Sequence, residues 1–260
     1  MPKARAATFA VWNGGGLFAG SASGSTAVHA HYAAQLTVAP APGLRLRGDG
    51  RALWQAYRAA FVPSGVPHAL DVSGVPAWAV VFVGPETREG RALAARWPEG
   101  GIMEVGPDET GAAAERLFAA WRAGDRGGVV AAGRALAADL AGDLPDVSPP
   151  DERVERAIAS IERGLGGALA LPEVARAVHL SPSRLRHLLV EQTGAGFRAH
   201  VRWRRLLRAW ALVGAGATLT EAAHAAGFSD SAHLSRTVRR TFGLTPSVVS
   251  AALQTAAQPR

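Results

Sequence analysis

Two sets of side chains in this 260-residue chain have types and spacings that could do chemistry. The first is His29, His31 and Gln35 within HAHYAAQ, joined by His68 at the end of PSGVPH. Side chains alternate along a strand, so an extended backbone would send His29 and His31 to the same side. The three imidazoles and the amide could then converge on one point. Imidazole nitrogen suits Zn, Fe, Ni or Cu, while an amide oxygen is a poorer ligand than a carboxylate. The same groups could instead line a small-ligand pocket, or face solvent, with Pro63 to Gly65 merely shaping a loop. No metal is assigned, and no cofactor is required. Trp12, Tyr57, Phe61 and Trp78 could line such a pocket, although aromatics at strand spacing are more often core.

The second set is rich in arginine and sits in an internal repeat. Leu219 to Pro246, LTEAAHAAGFSDSAHLSRTVRRTFGLTP, reads as a helix, a turn at Gly227-Phe228 and a second helix capped by Ser229. Gly243 ends that helix, and Thr245-Pro246 starts another. Leu171 to Gly194 repeats the pattern at an offset of 48, as in Leu171/Leu219, Glu173/Glu221 and Ser181/Ser229. Past the turn the offset becomes 49, as in Leu185/Leu234 and Gly194/Gly243. Two copies of one supersecondary unit follow, in place of an ordinary helical bundle. In the first, Leu185, Leu188 and Leu189 face inward and leave Ser183, Arg184, Arg186 and His187 exposed. In the second, Leu234, Val238 and Phe242 share one face, opposite Ser231, Ala232, Ser235, Arg236, Arg239 and Arg240. Small polar and basic side chains of this kind can enter a major groove.

Residues Ala222 to Ser247, AAHAAGFSDSAHLSRTVRRTFGLTPS, resemble the signature region of the AraC/XylS family of bacterial transcription regulators. The resemblance implies two helix-turn-helix subdomains joined by a long helix, here Phe197 to Val213, with Val201, Leu206 and Trp210 inward. Its 17 residues would span roughly 25 Å, enough to set two reading helices about one DNA turn apart. It also implies that Ser231, Ala232, Ser235 and Arg236 reach base edges of double-stranded DNA. Arg186 and Arg236 are the strongest base-reader candidates, because a guanidinium can bond guanine O6 and N7 together; phosphate contact is the alternative for each. Arg198, Arg202, Arg239 and Arg240 read as phosphate contacts. Where many relatives carry an aromatic after Ser-Pro-Ser, this chain has Arg184 and Leu185, and His233 stands where a Tyr is common.

Charge distribution agrees with two domains. Residues 151–260 hold 15 arginines against 8 acids, a net of +7, while residues 1–150 are balanced at 13 of each sign. A basic reader attached to a neutral partner domain has that asymmetry. Cysteine is absent, which excludes disulfides, thiol redox sensing and the nucleophile of a DNA-repair methyl acceptor. The longest apolar run, Ala77 to Val83, is far below the ~20 residues of a membrane span, and the N-terminus lacks a sustained apolar segment. A cytoplasmic protein is the expectation.

The elements that must position these groups change character along the chain. Phe9–Trp12, Leu17–Ala19, Tyr32–Val38, Leu44–Arg47, Ala52–Trp54 and Trp78–Val83 read as short strands, with a hairpin turn at Gly48-Asp49-Gly50. So many closely spaced strands favour a barrel or sandwich. HAHYAAQ and PSGVPH are similar to the cupin H-x-H-x3-E and P-x-G-x2-H patterns, with Gln35 in the carboxylate's place. Together with the C-terminal half, this resembles the cupin-like sensor of AraC-type regulators and implies a small-molecule effector. From Glu109 to Ala141 the pattern turns helical, with a break at Gly127-Gly128. Family resemblance implies that such helices pair subunits, giving a homodimer; covering the barrel is a compatible role. Pro and Asp make Gly142 to Pro150 a linker, and a first helix follows from Asp151 to Arg163, packing through Val154, Ile158, Ile161 and Leu165.

The expected architecture is therefore an all-β cupin-like barrel at 1–108, a helical pair at 109–141, a linker at 142–150 and an all-α double helix-turn-helix domain at 151–260. A ligand-controlled, sequence-specific regulator is the expected function. RNA polymerase could be a further partner, although no acidic residues stand out as its contacts. A metal-dependent cupin enzyme fused to a DNA-binding tail is the alternative, and Gln35 argues against it. A nucleoid protein without sequence preference is a third.

Overall fold

The computed structural model describes residues 7–142 and 150–245. Most of the expected linker and the helix expected from Pro246 lie outside the described residues.

The N-terminal part is β-rich. Strands β1 (Thr8–Trp12), β2 (Gly15–Gly20), β3 (Ala34–Val38), β4 (Leu44–Arg47), β5 (Gln55–Tyr57), β6 (Ala59–Val62), β7 (Ala69–Asp71), β8 (Trp78–Val83) and β9 (Met103–Glu104) form two antiparallel sheets. One has the order β1-β2-β8-β3-β6-β9, the other β5-β4-β7. β8, WAVVFV, is an uninterrupted apolar run because both of its faces are covered. Its register sets Gln35 opposite Phe82 and Leu36 opposite Val81. Val81 and Val83 point with Leu36 toward a helical layer containing Leu117, Phe118, Leu136 and Leu140. Val80 and Phe82 lie on the other face, within the cluster that holds Leu44, Leu46 and Tyr57 of the small sheet. A slip of one residue would exchange these faces.

Three helices build the covering layer: α1 (Arg88–Arg96), α2 (Pro107–Ala123) and α3 (Arg126–Ala141). The break between α2 and α3 falls at Gly124, not at Gly127-Gly128. Gly124 takes the left-handed conformation with φ 75°, and the Asp125 side chain caps α3 by accepting from Gly128 N at 2.9 Å. The two glycines expected to break the pattern sit in the first turn of α3. A second correction concerns Ala52–Trp54, which is not a strand: Leu53 is 85% exposed. The hairpin does form, but β4 pairs with Gln55–Tyr57.

The C-terminal part is helical: α4 (Glu152–Arg163), α5 (Leu171–Ala177), α6 (Pro182–Thr193), α7 (Phe197–Gly214), α8 (Leu219–Ala225) and α9 (Ser231–Phe242). The repeat is realised as the pairs α5–α6 and α8–α9. Their difference in length is located at the second N-cap, which is Asp230 and not Ser229. Asp230 accepts from His233 N, as Ser181 accepts from Arg184 N in the first unit. The inserted residue has moved the cap by one place.

The two units do not share a core. Val154, Ile158, Ile161, Leu165, Val174, Leu185, Leu188 and Leu189 form a cluster of their own around the first. Leu206, Trp210, Ala222, Phe228, Leu234, Val238 and Phe242 of the second belong instead to the cluster that contains Phe9, Val80 and Phe82 of the β-rich part. The second unit thus shares its apolar core with the sheets, while the first keeps an apolar core of its own.

Candidate nucleic-acid interface and the domain joint

Each reading helix is seated by three inward residues and leaves its other side to solvent. On α6, Leu185, Leu188 and Leu189 are buried, and Ser183, Arg184, Arg186 and His187 are exposed. Arg184 pairs loosely with Glu191 at 3.7 Å, an exposed pair of small energetic weight. On α9, Leu234, Val238 and Phe242 are buried, Ala232 and Arg236 are exposed, and Ser231 and Ser235 are half-buried. The Ser235 hydroxyl donates to Ser231 O at 2.7 Å, so it has acceptor capacity left for a ligand. Arg198, Arg202, Arg239 and Arg240 are all exposed. α7 connects the units, and its 18 residues are about 27 Å long. Val201, Leu206 and Trp210 point inward as expected.

The four groups expected to converge do so. His29, His31 and His68 are buried, with potential ligand atoms all within 4.8 Å of one another. Backbone pairing of His29 with His68 brings the two stretches together. Gln35 is buried beside them, its Oε1 3.0 Å from His31 Nε2 and 3.3 Å from His68 Nε2, while its Nε2 donates to Thr37 Oγ1 at 2.9 Å. Each ring is fixed by its Nδ1, which donates to a carbonyl two residues away: Ala27 O at 2.9 Å, Ala33 O at 2.6 Å and Val66 O at 2.9 Å for His29, His31 and His68. Burial lowers the pKa of all three, to about 4 for His29 and about 2 for His68, with neighbouring imidazoles adding to the effect for both. They are neutral at pH 7.

Sequence reasoning missed what surrounds this cluster. The roof over His29 and His31 is the second reading unit. His31 lies 5.9 Å from Trp203 and 6.4 Å from Phe242 between ring centres, and Phe82 lies 5.4 and 5.8 Å from the same two rings. Ala27 N donates to Gly243 O at 3.0 Å. Gly243, the left-handed C-cap of α9 with φ 64°, has no room for a Cβ, which would press on Ala27 O and His29 Nδ1. Beside His31 opens a cavity of about 330 Å³ whose wall includes Tyr32, Ser64, Arg202, Trp203 and Thr241.

A buried polar network closes the joint. Tyr32 OH donates to Glu86 Oε2 at 2.6 Å, and Arg204 Nη2 donates to Glu86 Oε1 at 2.6 Å. Arg204 also reaches Glu162 at 3.2 Å. His200 Nε2 lies 3.0 Å from Thr193 Oγ1, and Arg204 Nη1 lies 3.3 Å from His200 Nδ1. The Nε2–H tautomer lets the ring donate to Thr193 and accept from Arg204 at Nδ1, an atom that also lies 2.9 Å from Tyr32 OH. Burial, then the Arg204 charge, lowers the His200 pKa to about 3. Burial, the largest single influence, opposes the Arg204 charge, but Glu86, Tyr32 and Glu162 together outweigh it and hold the guanidinium above its usual pKa. One signal was available in sequence: Arg204 stands four residues after His200, among Val201, Trp203 and Leu207 on the apolar side of α7.

Exposed basic reading helices on a common long helix define a DNA-binding protein with a β-rich partner domain. Residues 174–252 match the family model described as a helix-turn-helix domain. The C-terminal part is a helix-turn-helix domain of the AraC type, and the chain is a DNA-binding transcription regulator. No curated protein matches the sequence. Among solved structures, the fold is similar to ToxT from Vibrio cholerae O395, with a TM-score of 0.55 at 10% identity over 95% of this chain and 98% of that one. ToxT from the same strain bound to (E)-4-(8-methylnaphthalen-1-yl)but-3-enoic acid gives 0.56 at 11% identity over 95% and 99%. Unsaturated fatty acid bound wild-type ToxT from Vibrio cholerae strain SCE256 gives 0.55 at 10% over 96% and 97%. Among the described residues, no helix is long and apolar enough to cross a membrane.

Proposed function

We propose that the protein reads two half-sites in successive major grooves and that a small molecule bound by its β-rich domain controls the reading. The observation that carries this is the shared core of the sheets and the second helix-turn-helix unit, beside an open cavity. A ligand there can change DNA affinity if it favours one arrangement of α9 against the sheets over another. The ToxT structures with a fatty acid and with a carboxylic acid, similar in fold, support a ligand of this general kind.

In this reading, residues 1–108 are a cupin-like sensor, 109–141 a helical pair, 142–150 a linker and 151–260 the reader. Ser183, Arg184, Arg186, His187, Ser231, Ala232, Ser235 and Arg236 face bases, and Arg198, Arg202, Arg239 and Arg240 face phosphates. The buried sides of α2 and α3 lie against the sheet; their outer sides pair two chains into a homodimer. The protein acts in the cytoplasm, meets RNA polymerase when bound, and needs no catalytic group.

Control is tested by measuring operator affinity at fixed salt with and without cellular extracts and carboxylic acids. A change of about fivefold or more is expected. Affinity that none of them moves leaves a constitutive DNA binder.

A further inference from the structure

We propose that Val190 of α6 is a further base-reading residue of the first unit, and that it selects thymine through the C5-methyl group, within two base pairs of the base that Arg186 reads. This rests on the regulator reading above and names one element of the sequence it recognises.

Helical geometry puts Val190 in the middle of the reading face. At about 100° per residue it lies between Arg186 and His187, about 40° round the axis from the first, about 60° from the second and about 20° from Ser183. All three of those neighbours are exposed, while Leu185, Leu188 and Leu189 are buried on the far side of the helix. Val190 is 47% exposed, and among the described residues of 150–245 it is the one large apolar side chain left open to solvent in this way. A lone surface valine is ordinary. One placed between residues that face bases meets DNA whenever they do.

Its chemistry then narrows the partner. Valine offers neither charge nor hydrogen bond, so phosphate and the polar base edges give it nothing to pair with. The apolar group in the major groove is the thymine methyl, which apolar side chains read by contact. A β-branched side chain in a helix is already held near one rotamer, so little freedom is lost on docking. Val190 stands about 6 Å along the axis from Arg186, less than two base-pair steps of roughly 3.4 Å.

The repeat confines this contact to one half-site. At the offset of 49, Val190 corresponds to Arg239, Arg186 to Ser235 and His187 to Arg236. Arg239 is exposed at the same place on α9. A guanidinium there can bond phosphate or guanine, and valine can do neither. The two half-sites should therefore differ at the equivalent position. The operator has a direction, marked by the half that carries the thymine.

The test uses the whole chain and an operator selected from random duplexes, at fixed salt. Each thymine within two base pairs of the position where Arg186→Ala loses information is replaced in turn by uracil, which removes the C5-methyl and keeps the pairing. At one of them, uracil should weaken wild-type binding about three- to fivefold, the scale of one lost methyl contact. Val190→Ala should weaken binding to the thymine duplex by a similar factor, and uracil should then cost this variant less than about 1.5-fold, since the two changes remove the same contact. Alanine is the better helix former, so the variant should fold. Val190→Arg, which installs the residue of the second unit, should erase the preference for thymine at that position. No thymine within reach, a wild type indifferent to uracil, or an equal loss on uracil in wild type and Val190→Ala overturns the inference and leaves a solvated valine. If no motif is enriched at all, sequence reading itself fails and the inference falls with it, a result distinct from a motif that tolerates uracil.

Discussion

Arg204 of α7 and Glu86, three residues beyond β8, meet at 2.6 Å across the domain boundary, with side chains only 5% and 10% exposed. A charge pair so buried holds an arrangement more than it adds stability, because desolvation offsets much of the attraction. Removing one partner strips the other of its closest counter-charge. Glu86→Gln should cost about 3 kcal/mol in urea unfolding, the lower end of the range for broken buried pairs, since Glu162 still reaches Arg204. Glu86→Leu with Arg204→Leu should cost less than either single change. Single variants within 1 kcal/mol of wild type would contradict a tightly closed joint.

Gly194 and Gly243 occupy equivalent left-handed C-caps in the two units, at φ 67° and 64°. A Cβ at Gly194 meets open space, whereas at Gly243 it meets Ala27 and His29. Gly194→Ala should cost only the conformational penalty, about 1 kcal/mol. Gly243→Ala should cost a further 1–3 kcal/mol, as for overpacking in a full core, and should alter operator affinity. Equal losses of stability in the two variants would place the second unit free of the sheets.

His200 has a folded pKa lowered to about 3, so the unfolded chain binds the proton more readily. Its contribution is intact above pH 6.5 and is lost as pH falls from there toward 3. Between pH 7.5 and 5 the loss from this group should be about 2 kcal/mol. His29 and His68 shift in the same direction, so His200→Gln should flatten only part of the slope in denaturation measured across that range. An unchanged slope in the folded variant would mean that His200 is protonated in place.

Arg198, Arg239 and Arg240 are exposed around the reading helices. Replacing each by Ala should weaken all duplexes alike and reduce the slope of log affinity against log salt by about one. Loss of preference at a single base position, with the slope intact, would make the residue a base reader.

The reading units were legible in the sequence because helical spacing, caps and closing glycines are local signals. Leu185, Leu188, Leu189, Leu234, Val238 and Phe242 are all buried. The shift of the cap from Ser229 to Asp230 was hidden, since both side chains can cap and only the geometry of the turn chooses. Ala52–Trp54 misled because alternation cannot say which residues a partner strand will accept, and pairing with β4 selected Gln55–Tyr57. His29, His31, Gln35 and His68 could be grouped by type and spacing. Their roof of Trp203, Phe242 and Gly243 could not, because contacts between residues some 170 to 210 positions apart leave no periodic trace. Glu86 carries no local mark either; its role exists only once Tyr32 and Arg204 are folded against it.

In the proposed function two reading helices, one in each unit, recognise DNA together. Selection of bound sequences from a random duplex library, with wild type, Arg186→Ala and Arg236→Ala in parallel, tests it most directly. Two half-motifs about one helical turn apart are expected, with each variant losing information in one of them and about 1–3 kcal/mol of affinity. No enriched motif, or a single motif that both variants degrade at the same positions, would contradict it.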